Sequence, residues 1–226
     1  ILQSQYEETI LYPYASSTSR LGSEIITSFS ESGGITKVGL AGPLAVSNHD
    51  GYDEIQIVVS TENPQFVVDL LDDLFPIRYY RQFSHMDQPS GRFWLYDESP
   101  FNFVALAFYS EAEFVTAVNN GELAHGAPFR EFLCSNENKI SSPRRYQFTD
   151  TSGESTLSKN IEPALDAIRS VMRGEGEMTR VRDCVLGLQS IQGQANSLSP
   201  ALSALLQDVI QIGARLISID IQSQKT

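Results

Sequence analysis

Residues Ile35–Thr61 read ITKVGLAGPLAVSNHDGYDEIQIVVST. A short apolar strand runs to Leu40 and passes into a small-residue turn, Gly39-Leu40-Ala41-Gly42. A polar loop follows, and a second strand, Glu54–Ser60, returns the chain. In that strand Ile55, Ile57 and Val59 alternate with Glu54, Gln56 and Val58. Successive strand side chains point to opposite faces, so the isoleucines claim a core face and Glu54 and Gln56 share the other. The two strands are expected side by side in one sheet.

Working outward, Leu21–Phe29 has apolar residues at helical spacing and predicts a helix packed on that sheet. Asn63-Pro64 supplies an N-cap and a first-turn proline. The helix it opens should bury Phe66, Val67, Leu70, Leu71 and Leu74. Pro76–Tyr80 starts the next strand. Arg92–Tyr96 and Phe101–Phe108 form a hairpin around Asp97-Glu98-Ser99-Pro100. Ser110 with Glu113 makes a capping box for a helix through Phe114 and Val118. Ser135–Ser155 is rich in Ser, Asn, Thr, Pro and Gly and reads as a linker or an extended wrap.

Three helical patterns follow the linker. Ile161, Leu165, Ile168 and Val171/Met172 form one stripe. Val181, Val185, Leu188 and Ile191 form a second, ended near Gly193. Leu198–Ile221 carries the longest, from Leu202 to Ile219. The expected organisation is α+β: a sheet domain over 1–134 flanked by helices, a linker over 135–155, and a helical hairpin or bundle over 156–226.

A length of 226 residues, 41% hydrophobic and 19% charged, suits a globular protein with a real core. The net charge of -12 argues against nucleic-acid binding, which gains affinity from lysine and arginine displacing counterions. No window is read as a transmembrane helix and no signal peptide is visible, so no membrane partner is expected. The chain begins at Ile1 rather than Met, which leaves a removed targeting segment open. Cys134 and Cys184 have neither metal-type spacing nor a disulfide framework and read as buried thiols of a cytoplasmic or other reducing compartment. His49, His85 and His125 lie on separate segments and do not define a zinc site. Arg78, Arg81 and Arg92 are candidates to converge on one sheet face. Phe93, Trp94, Tyr96, Phe101 and Phe103 read as core and cross-strand packing.

Several of these segments together resemble a known family. Lys37-Val38-Gly39, Gly91-Arg92-Phe93-Trp94, Phe101-Asn102-Phe103-Val104 and Phe129-Arg130-Glu131-Phe132-Leu133 occur in order. They look like the GrpB-like group of the nucleotidyltransferase superfamily. That group shows a His-Val-Gly-Ser turn, an Arg-Phe-Phe strand, an Asn-Leu-His-Val strand and a Phe-Arg-Asp-Tyr-Leu helix. The same half resembles the palm of X-family DNA polymerases, where Gly-Ser precedes an Asp-x-Asp strand. Either relative implies a mixed sheet flanked by helices, with divalent metal held by carboxylates at i and i+2 on a strand and a third on a neighbour.

Against that pattern the chain places Leu40 at the turn serine, Glu54 and Gln56 at the paired carboxylates, Asn102 at the third and Val104 at the GrpB-like histidine. The resemblance thus implies a degenerate metal site, with Gln56 and Asn102 meeting across neighbouring strands and no cofactor expected. Gly39, Gly42, Arg92, Asn102 and Arg130 are the candidate ligand-binding residues, for a nucleotide or a small anion. The favoured reading is a pseudoenzyme acting as a binding or scaffolding module. Its protein partner, or a second copy, would meet the C-terminal helices. The alternative is an active, magnesium-dependent nucleotidyltransferase that acts on a small molecule or protein. It would use an irregular metal site built from Asp50, Asp53 and Glu54.

Overall fold

The computed structural model describes residues 18–46, 53–85, 88–96, 98–123, 128–134 and 159–223. Residues 18–134 belong to one compact unit and 159–223 to another. Both expectations of class hold: the first unit is a mixed sheet flanked by helices, and the described residues after it are helical. The proposed linker over 135–155 lies outside the described residues.

The sheet unit opens with α1 (Thr18–Glu31), followed by β1 (Lys37–Ala41), a 3-10 turn (Gly42–Val46) and β2 (Ile55–Ser60). Next come α2 (Pro64–Leu74), β3 (Ile77–His85), β4 (Gln88–Leu95), β5 (Val104–Tyr109), α3 (Glu111–Asn120) and β6 (Phe129–Phe132). The six strands are ordered β3-β4-β5-β2-β1-β6. Only β2 and β5 run parallel; the other pairs are antiparallel, β1 with β2 among them. The parallel step requires a long crossover, and α2, β3 and β4 supply it.

Each face of the sheet has its own core. On one, Val38, Leu40, Ile55, Ile57, Val59, Phe93, Val104, Leu106 and Phe108 pack with Leu21, Ile25 and Phe29 of α1 and with Phe66, Val67 and Leu71 of α2. On the other, Ala41, Val58, Ala107 and Tyr109 pack beneath Phe114 and Ala117 of α3. The helix starts follow their sequence signals. Asn63 accepts a hydrogen bond from the amide of Phe66 at 3.3 Å, and Ser110 and Glu113 complete a reciprocal capping box.

Four expectations need correction. In α2 it is Val68 that is fully buried, whereas Leu74 is exposed and Leu70 only partly covered, because the buried stripe follows Phe66-Val67-Leu71. Before Arg92 the chain forms a β3–β4 hairpin, with β4 starting at Gln88. Phe129–Phe132, a helix in the family resembled, is here a strand hydrogen-bonded to the edge of β1. Lastly, Tyr96 is exposed, unlike its buried aromatic neighbours.

The second unit holds α4 (Ile161–Met172), α5 (Met178–Leu198) and α6 (Pro200–Ser223), which pack mutually. Gly193 does not end α5, which continues a further turn to Leu198. By length and composition α6 is apolar enough to cross a membrane, contrary to the sequence reading. Its stripe is spent inside the protein: Leu202, Leu205, Leu206, Val209, Ile212 and Leu216 are buried. Gly213 lets α5 approach, since a Cβ there would lie 2.4 Å from Val185 Cγ2. This is the packing of a core helix.

Candidate functional site

Strand register builds the site. Gln56 of β2 lies opposite Ala41 of β1 on one side and Ala105 of β5 on the other. Ala105 lies opposite Arg92 of β4, and Arg92 opposite Arg81 of β3. One row therefore crosses the sheet as Arg81, Arg92, Ala105, Gln56 and Ala41. These residues share a face, because directly opposed residues on paired strands point the same way. A bulge between Ile77 and Tyr79 turns the start of β3, so Ile77 joins the α1/α2 core while Tyr79 packs on Trp94 across the sheet. Arg78 falls in that bulge. Of the three arginines expected to converge, the register aligns Arg81 and Arg92.

Gln56, Glu54 and Arg92 approach one another across the row. The Gln56 amide donates to Glu54 Oε1. Glu54 Oε2 stands 3.9 Å from Arg92 Nε, with each side chain 22% exposed. The Arg92 guanidinium lies 5.8 Å from the centre of the Phe103 ring. Gln56 Oε1 is buried and meets no donor among the described residues.

Of the expected Gly39–Gly42 turn, Gly39, Leu40 and Ala41 lie within β1 and only Gly42 opens the 3-10 turn; the space beside both glycines is filled by the protein itself. Gly42 has φ 67°, in the left-handed region that favours glycine. A Cβ built there would sit 2.5 Å from Gln56 Oε1. Its backbone N–H, which a phosphate-holding turn would present to a ligand, donates to Pro128 O at 2.9 Å. At Gly39 a Cβ would lie 2.2 Å from the Phe129 ring and 2.9 Å from Arg130 O. Glycine is required at both positions for close packing by the chain's own groups.

Asn102 does not join Gln56. Its side chain accepts a hydrogen bond from Thr18 Oγ1 at 2.9 Å, at the start of α1. Phe103, one residue on, stands instead with Arg92 and with Trp94, 5.1 Å between ring centres. The position beside Gln56 on the site face is Ala105. The expected meeting of Gln56 and Asn102 is not made: Asn102, two residues ahead of β5, is bonded to Thr18, and the Gln56 amide to Glu54.

Arg130 is also elsewhere. It sits on β6, in register with Leu40 of the α1/α2 core face, and stacks 4.9 Å over the Phe132 ring. Four strand steps separate β6 from β4, about 19 Å at the usual interstrand spacing. Among the irregular metal ligands, Asp50 lies outside the described residues, as do His49 and His125. Asp53 lies two residues ahead of β2, and Glu54 is engaged by Gln56 and Arg92.

Pro128, Phe129 and Ala105 are the site residues that sequence reasoning missed. For Ala105 a signal existed: in Val104–Tyr109 the small residues Ala105 and Ala107 alternate with Val104, Leu106 and Phe108. For Pro128 and Phe129 there was none, since they reach the turn only through the β1–β6 pairing.

The thiols are free and partly buried rather than fully so. Burial pushes the Cys134 thiol above its ordinary value of 9.0, and the nearby Glu131 charge adds to the rise. Burial likewise raises Cys184, with Arg180 opposing. Comparison with family models, curated proteins and solved structures found no match for this chain.

Proposed function

We propose that this chain is a nucleotidyltransferase-like fold that has lost transfer chemistry and acts by binding, as an interaction or scaffolding module. The observation that carries the reading is the self-filled turn. The Gly42 amide is bonded to Pro128, and the Gln56 side chain fills the space beside its Cα. Triphosphate transfer needs a large positive counter-charge, ordinarily two divalent cations, and its absence costs several kcal/mol of transition-state stabilisation. Beside Gln56 the neighbouring strand offers the methyl group of Ala105 where a carboxylate would be needed. Glu54, an acidic side chain in contact with the row, faces a guanidinium, which disfavours a cation between them.

The active alternative, with magnesium at Asp50, Asp53 and Glu54, would have to displace both contacts of Glu54. A protein partner would meet the helical unit outside its buried stripe, where Leu186 and Ile221 stand exposed. The free thiols support a reducing compartment. The test incubates labelled nucleoside triphosphates and magnesium with the protein and a cell extract. No labelled product is expected above a Glu54→Ala control. Labelling that disappears in Glu54→Ala would overturn the reading and make Glu54 a metal ligand.

A further inference from the structure

We draw no further inference here: the strongest candidate, the paired Arg81 and Arg92 on the sheet face beside Glu54 and Gln56, belongs to the site already described, and nothing in the structure shows what covers it.

Discussion

Two ends of one sheet face are closed by different means. Towards Val58, Ala107 and Tyr109, closure is apolar: Phe114 of α3 packs edge-on against Tyr109 and Phe129, with ring centres 6.2 and 5.9 Å apart. Two residues back along the same strands, at Gln56 and Ala105, closure is polar and made by Glu54, Gln56 and Arg92. Apolar closure tolerates no loss of volume but makes no demand on charge. Polar closure depends on each group finding a partner, and it leaves Gln56 Oε1 without one among the described residues. At the polar end the space beside Gly42 is occupied by the Gln56 side chain.

The contrast can be broken most strongly at the apolar end. Phe114 is 1% exposed, so Phe114→Ala should cost about 3–5 kcal/mol in urea unfolding. A loss below about 1 kcal/mol would mean that α3 does not seal the face.

The glycine within β1 comes next. Gly39→Ala drives a methyl into the Phe129 ring and a backbone carbonyl, and should cost about 1–3 kcal/mol. Pairing it with Phe129→Leu should recover part of that loss if the ring is the obstacle. No recovery would point to the Arg130 carbonyl.

At the polar end the effect should be smaller. Gln56→Ala removes a hydrogen bond to Glu54 but also removes the unpartnered oxygen, so a net change of about 1 kcal/mol or less is expected. A cost like that of Phe114→Ala would show that the two ends are closed alike.

Smallest is the response of the thiols. Because burial raises both pKa values, the folded protein holds its thiol protons at a pH where the unfolded chain has begun to lose them. Stability from this source is complete below the ordinary value of 9.0 and declines as pH rises through the folded values. Iodoacetamide should therefore modify the native protein more slowly at pH 9 than the urea-unfolded protein. Equal rates would contradict the burial.

Much of this architecture was legible locally. Asn63-Pro64 and Ser110 with Glu113 name their helices because capping is a short-range interaction. Alternation in Ile55–Val59 sets the face of β2 for the same reason. The site was legible only as far as β2 carried it. The resemblance sets Asn102 beside Gln56, but the pairing of β5 begins only at Val104 and Asn102 bonds Thr18 instead. Phe129–Phe132 reads as a helix or a strand with equal ease, and only its bonds to β1 decide. The long stripe of α6 is as apolar as a membrane span, and burial against α4 and α5 distinguishes the two.

The central claim, that the ligand position beside Gly42 is filled from within and holds no metal, is most directly tested by calorimetric titration of magnesium and ATP. The parent protein should show no saturable magnesium-dependent binding of ATP. Neither should Gln56→Asp combined with Asn102→Asp, because Asn102 lies ahead of β5 and bonds Thr18 rather than Gln56. Gln56→Asp combined with Ala105→Asp sets two carboxylates side by side on one face and should gain magnesium affinity. Saturable binding of magnesium and ATP by the parent, lost in Glu54→Ala, would contradict the account.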